Sequence, residues 1–333
     1  MSAAQRFGRS IGLRRAGLRR ERGIALLTAI LLVALGTMIA TAIAYRTAMT
    51  ARRGQGDFAF DQSILIAEAG EAIASYALRE SRVNNQSDAP GQPWSTHYGP
   101  VPVTDGVTLE AWLEDMQGRF NLNNLVDATG TKDPKAIQAF QSLLQILQLE
   151  PKWAELIADW IDADTLVDSP DGAEDSTYLS QLPPYRAGNR QITSASELLA
   201  LPGFGPDRYA RIAPYVTALP RGTTVNLCTA SGVMLDALNP SGERQYSALD
   251  PKSLAEERKN GCWPTKQLYQ QSFASDPAAR GSFGMNMVGQ QSDYFRLTSV
   301  VSIGTAQFYL YSLLHREQNG AKAHVIQRSF TAD

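Results

Sequence analysis

Seven arginines (Arg6, Arg9, Arg14, Arg15, Arg19, Arg20 and Arg22) precede a run of 22 residues, Ile24 to Tyr45, that carries no charge. As a helix rising 1.5 Å per residue, this run covers about 33 Å, enough to cross a hydrocarbon core about 30 Å thick. The basic side is expected to stay cytoplasmic and the rest of the chain to face the far side of the membrane. The run is longer than the apolar core of a secretory signal, and no small-x-small site closes it. A glycine stands at its front edge instead. Cleavage at Gly23–Ile24 would remove the arginines and keep the helix. A plain uncleaved anchor is the alternative at this point.

Helical character continues past Tyr45. Ala48, Ala51, Ile64, Leu65, Ala67, Ala69, Ala72, Ile73, Tyr76, Ala77 and Leu78 fall largely on one face. The spacing predicts a helix of about 55 residues, apolar all round in its first half and amphipathic in its second, with Gly54 and Gly56 as the places where it would bend. Residues 84–106 are rich in Asn, Gln, Ser, Pro and Gly and read as a loop. Val107 to Asp115 alternates as a strand does. Gly118-Arg119-Phe120-Asn121-Leu122-Asn123-Asn124-Leu125 reads as a structured turn. Helical spacing follows over 133–149 and from Trp153 to Ile161. The C-terminal part reads as three strands, 295–304, 306–314 and 323–330, with Gly304-Thr305 at the first turn.

An acidic segment lies between. Asp159, Asp162, Asp164, Asp168, Asp171, Glu174 and Asp175 fall within 17 residues that contain no Lys or Arg. Oxygen-rich loops of this kind suit Ca²⁺, which takes six to eight oxygen ligands. The EF-hand pattern is not met, because Leu166 and Val167 occupy its fifth and glycine positions. A solvated acidic loop is the competing reading.

Further on, Ser194 and Glu197 form a capping box ahead of Leu201-Pro202-Gly203-Phe204-Gly205, the hairpin of a helix–hairpin–helix. In DNA-binding versions the hairpin amides meet a phosphate. Only Arg208 and Arg211 are basic here, and no second basic hairpin follows, so a structural hairpin is the better reading. The overall charge of −2 becomes about −8 once residues 1–23 are removed, and an acidic body argues against broad nucleic-acid binding. Outside the cytoplasm, the only two cysteines, Cys228 and Cys262, are expected to form a disulfide. The three histidines, His97, His315 and His324, lie far apart in sequence, and His324 alternates with Val325 as a solvent-facing strand residue would. No G-x-S-x-G, phosphate-cradling loop or H-E-x-x-H is present. The pattern points to assembly and not to catalysis.

The glycine before the apolar run resembles the leader of type IV prepilin-like proteins. Such proteins usually carry Glu at the fifth mature residue, where this chain has Thr28. A carboxylate in the apolar layer needs a partner, in pilin-like filaments thought to be the amino terminus of an earlier-added subunit. A subunit at the tip has no such neighbour. Absence of that Glu, the G-R-F-N-L-N-N-L segment and the run Asp159-Trp160-Ile161-Asp162-Ala163-Asp164 followed by Gly172-Ala173-Glu174-Asp175 together resemble minor pseudopilin K of type II secretion systems, over nearly the full chain.

The resemblance implies an α+β fold: a pilin-like long N-terminal helix packed on an antiparallel sheet, with a large all-helical insertion. The expected parts are a leader (1–23), a transmembrane and polymerisation helix (24–45), the rest of the pilin helix and first strands (46–124), the inserted helical domain (125–220) and the C-terminal part of the sheet (221–333). It implies cleavage and N-methylation by prepilin peptidase, a single-pass inner-membrane location with a periplasmic body, and a place at the pseudopilus tip with minor pseudopilins I and J above the inner-membrane assembly platform. It also implies structural calcium, with Asp162, Asp164, Glu174 and Asp175 first among the ligands and Asp159, Asp168 and Asp171 second. No nucleic-acid partner is expected. The alternative function is a membrane-anchored DNA-binding component of a competence-type apparatus, resting on the hairpin alone.

Overall fold

The structure, a computed structural model, describes residues 18–331 apart from 168–170, 240, 243, 273–286, 319 and 321. It divides into two units, Met1–Asp61 and Gln62–Asp333. In chain order the elements are α1 (Leu18–Asn84), β1 (Tyr98–Thr104), β2 (Val107–Asp115), β3 (Phe120–Asn121), α2 (Pro134–Ile146), α3 (Trp153–Ile161), α4 (Asp175–Tyr178), α5 (Gly205–Ile212), β4 (Val216–Thr217), β5 (Val225–Asn226), α6 (Gly232–Ala237), α7 (Pro251–Glu257), α8 (Lys266–Ser272), β6 (Val288–Gly289), β7 (Tyr294–Ile303), β8 (Ala306–Arg316) and β9 (Ala323–Ser329).

In the first unit, α1 carries no charge from Ile24 to Tyr45. It is the one helix among the described residues long and apolar enough to cross a membrane, with a mean hydropathy of 2.4 in its most apolar stretch. Its hydroxyls are satisfied along the helix: Thr28 donates to Ala25 O at 2.9 Å, and Thr37 and Thr41 do likewise. α1 is 67 residues long, against about 55 expected, and Gly54 and Gly56 do not end it.

In the second unit, α1 lies on a five-stranded sheet of order β1-β2-β7-β8-β9, antiparallel throughout. The buried face of α1 is Ser63, Ala67, Gly70, Glu71, Ala74, Leu78 and Ser81, while Leu65, Ile73 and Tyr76, expected on that face, are exposed. The reason is proximity. At Gly70 the sheet comes close, since a Cβ there would already lie in contact with Ser299 Oγ and Leu109 Cδ2, and the small residues Ala67, Gly70 and Ala74 occupy much of that face. Ala67 packs with Val107, Val301 and Leu310, and Leu78 with Trp94, Phe295, Leu297 and Leu314. Glu71 is buried but fully engaged. It accepts from Ser312 Oγ at 2.6 Å and from Arg328 through both oxygens, at 2.8 and 2.7 Å.

The region read as a loop, 84–106, contains strand β1. Its sequence, Tyr-Gly-Pro-Val-Pro-Val-Thr, hides the strand because two prolines forfeit ladder donors, which an edge strand tolerates. Asp105-Gly106, with Gly106 at φ +73°, makes the turn into β2.

β2 pairs with β7 over Val107–Asp115 and Ile303–Phe295. The described residues between them, within 116–293, lie outside the five-stranded sheet. This excursion is longer than the 125–220 expected, and the C-terminal share of the sheet starts at Tyr294 and not at 221. Its hydrophobic core joins α2, α3 and α5 to α6 and Tyr269 of α8, around Phe140, Leu144, Ile157, Phe204, Leu235 and Tyr269. The asparagines of the G-R-F-N-L-N-N-L segment tie its start to residues 192 and 219–223. Asn123, buried, donates to Ile192 O and Leu219 O and accepts from Ile192 N. Asn121 bonds Leu219 N and Pro220 O, and Asn124 bonds Gly222 N and Thr223 O.

Two further ties hold the excursion. Cys228 and Cys262 are disulfide-bonded. Arg258, within the loop they close, donates to Leu227 O, Ala230 O and Trp263 O. At the junction with the sheet, Arg316 is wholly buried. It pairs with Asp88, donates to Leu78 O and Ser292 O, and sits 4.9 Å from the Phe295 ring.

Candidate metal centre

α3 ends at Asp162, whose N–H still bonds Ala158 O. A carboxylate at a helix C-terminus faces the negative end of the helix dipole and gains nothing from it. Two residues on, Asp164 turns the chain by accepting Leu166 N at 2.8 Å. Glu174 then comes back as the residue before the single turn of α4, without bonding that turn's amides.

The result is a trio. Oxygens of Asp162, Asp164 and Glu174 lie within 4.8 Å of one another. Ca²⁺–oxygen distances of about 2.3–2.6 Å allow two ligands on one ion to stand up to about 5 Å apart, so the spacing fits. Asp162 and Glu174 are buried. Asp162 Oδ1 and both Glu174 oxygens have no hydrogen-bond partner, nor do Tyr178 Oη and Asn189 Oδ1. Buried carboxylate oxygens without donors are expensive, and a cation is the group that would satisfy them. Burial, followed by the charges of Asp164 and Asp159, pushes the Asp162 carboxyl up to about 7. Burial likewise raises Glu174.

The other acidic positions do different work. Asp159 is buried in an ion pair with Lys132, which also reaches Glu155 at 3.5 Å. Asp175, expected among the first ligands, instead accepts from Arg186 at 3.1 Å and from Ala187 N at 3.0 Å. It thereby holds the strap 186–189 against the site. Gly188 fits there because a Cβ would come 3.1 Å from Trp160. Asp171 is exposed and outside the trio, and Asp168 lies outside the described residues.

Sequence reasoning missed Asn189. Its N–H bonds Trp160 O, its side-chain amide bonds Asp164 O, and it adopts φ +45°. Only the A-G-N-R composition of a tight turn hinted at it.

The hairpin between Ala195–Ala200 and α5 has the expected glycines in left-handed conformation, Gly203 at φ +78° and Gly205 at φ +73°. Its arginines are committed within the protein. Arg208 pairs with Glu150 at 3.1 Å and bonds Gly203 O and Phe204 O, and Arg211 bonds Leu147 O. The Glu150 carboxyl is lowered to about 2 by the bonds from Arg208 and Trp153.

A long, N-terminally apolar helix whose C-terminal half lies on an antiparallel meander, with a helical excursion between two paired strands, defines a pilin-like subunit. A profile described as type II secretion system (T2SS), protein K matches residues 118–221. The chain is 31% identical over 322 residues to type II secretion system protein K of Pectobacterium carotovorum, covering 93% of this chain and 97% of that one. It is 30% identical to the protein of the same name from Pseudomonas aeruginosa, covering 93% of each. The crystal structure of the GspK-GspI-GspJ complex from the enterotoxigenic Escherichia coli type 2 secretion system contains a chain of the same fold. Its TM-score is 0.70 at 24% identity, covering 84% of this chain and all of that one. The chain belongs to the type II secretion system protein K family, the minor pseudopilins of that system.

Proposed function

We propose that this minor pseudopilin stands at the tip of the pseudopilus, where it initiates or caps assembly for export across the outer membrane. The observation that carries the reading is Thr28 in the uncharged span, at the fifth position after Gly23. A subunit with no carboxylate there needs no amino terminus from a subunit ahead of it. The bulk of residues 116–293 adds a steric argument against further subunits in front.

Prepilin peptidase would cut at Gly23–Ile24 and methylate Ile24, leaving the helix in the inner membrane and the body in the periplasm. The partners are minor pseudopilins I and J and the assembly platform. The exposed Leu65, Ile73 and Tyr76 of α1 suit packing against neighbouring helices. The role is structural and not enzymatic. Asp162, Asp164 and Glu174 would hold a calcium ion, which neutralises the trio and fixes the strap through Asn189. No nucleic acid is involved.

Mass spectrometry of the membrane-extracted protein, expressed with its secretion system, tests the reading. The expected mature chain begins at N-methylated Ile24 and co-purifies with I and J in fixed ratio. An intact arginine-rich leader, or recovery of this chain as the repeating subunit of a fibre, would refute it.

A further inference from the structure

We propose that His315 and His324 form a two-imidazole site for a late first-row divalent cation of the Zn²⁺ or Cu²⁺ class, separate from the carboxylate trio. The two histidines are far apart in chemistry-bearing motifs but directly opposite on β8 and β9. Their ring centroids are 5.5 Å apart with planes at 90°.

That separation is what chelation requires. An imidazole nitrogen binds such a metal at about 2.0–2.1 Å, which places the ion about 3.2 Å from the ring centroid. Two rings at a tetrahedral angle around one ion then have centroids about 5.2 Å apart, close to the separation observed.

The backbone under the pair is fixed. The flanking pairs, Leu314 with Val325 and Arg316 with Ala323, set their side chains into the core beneath α1. Alternation puts both histidines on the opposite face. Tyr294 of β7 stacks on the His315 ring at 4.8 Å and 29°, restricting its rotation. His324 is exposed, and beside His315 an open cleft lined by Tyr294, Asp293 and Glu317 leaves room for water as the remaining ligand. Donor type separates the two sites: hard carboxylate oxygens suit calcium, whereas neutral imidazoles suit Zn²⁺ and Cu²⁺. The consequence is a staple on the sheet edge, because β9 is paired on one side only.

The test uses the untagged full chain in detergent, with excess Ca²⁺ to occupy carboxylate sites, titrated with Cu²⁺ and read by electron paramagnetic resonance. The expected signal shows coupling to two nitrogens at one Cu²⁺ per chain and is displaced by Zn²⁺. His324→Ala is expected to leave one coupled nitrogen and weaken binding about tenfold or more, with metal-free thermal unfolding unchanged. His97→Ala, remote from the pair, is expected to change neither. A parent signal with oxygen ligands or a single nitrogen, or an affinity unaltered in His324→Ala, would overturn the proposal.

Discussion

The carboxylate trio makes the stability of the protein depend on pH in a direction that calcium should reverse. Without a cation, the Asp162 carboxyl titrates at about 7 in the folded chain against 3.8 ordinarily. Between those values the folded state holds a proton that the unfolded chain has released, so stability falls as pH rises through 7. At 1.36 kcal/mol per pH unit the ceiling is about 4 kcal/mol. Asp164 is exposed and water reaches the loop, so about 2 kcal/mol is the better figure. About half of that falls between pH 5.5 and 7, so the melting temperature should be about 2–4 °C lower at pH 8.5 than at pH 5.5 in EGTA. Calcium at 100 times its dissociation constant adds about 2.7 kcal/mol, and it adds less at pH 5.5, where the ion must displace the Asp162 proton. The assay is thermal unfolding of the detergent-solubilised full chain across that pH range, with and without calcium. Asp162→Asn should flatten the calcium-free slope. Glu174→Gln should remove most of the calcium gain. Calcium-free stability that is flat or rises between pH 5.5 and 7 would refute the burial argument. A calcium gain unchanged in Glu174→Gln would refute the trio.

Three other outcomes are expected. Arg316→Leu strands the buried Asp88, for which Arg82 at 3.9 Å is a weak substitute. Chemical denaturation should show a loss of about 3 kcal/mol or more, partly recovered by Arg316→Leu with Asp88→Leu. Gly232→Ala would place a Cβ 2.3 Å from Tyr246 O, and since backbone must move, soluble yield and melting temperature should both fall, whereas Gly36→Ala, with open space around it, should leave the body's melting temperature unchanged. Cys228→Ser with Cys262→Ser releases a loop of separation 34 and should cost about 4 kcal/mol by loop entropy. Protease resistance of the native state should nevertheless persist, because Arg258 still ties Leu227 O and Ala230 O to Trp263 O.

What the sequence shows depends on how local the cause is. The long N-terminal helix, the strand alternation of β2, β7, β8 and β9 and the capping box at Ser194 and Glu197 are written in nearest-neighbour chemistry, and all are present. The buried face of α1 is not, because it is chosen by the sheet: Gly70 and Ala74 go inward while Ile73 and Tyr76 go out, against any ranking by hydrophobicity. The boundary of the excursion is equally non-local, since it is set where β2 stops pairing with β7. At the candidate site, Asp162, Asp164 and Glu174 were legible as an acidic run, but the run could not say which carboxylates converge. Asp159 and Asp175 are claimed by Lys132 and Arg186, partners 27 and 11 residues away. Asn189 carries no charge and is drawn to the site by a backbone bond to Trp160.

The apolar stretch of α1 bears on the proposed place of this subunit. In hydrocarbon, a polar group without a partner is penalised by several kcal/mol, so each one either finds a partner within its own segment or demands one from a neighbour. A glutamate at the fifth position makes such a demand, for a positive charge from another chain. Thr28 makes none: its hydroxyl donates to Ala25 O at 2.9 Å, one turn back, and Thr37 and Thr41 repeat the arrangement further along. From Ile24 to Tyr45 the segment is therefore electrostatically self-contained, stable in lipid before any other subunit arrives. On the proposed reading, a chain with that property is suited to begin a filament, whereas one with a glutamate there calls for a subunit already in place.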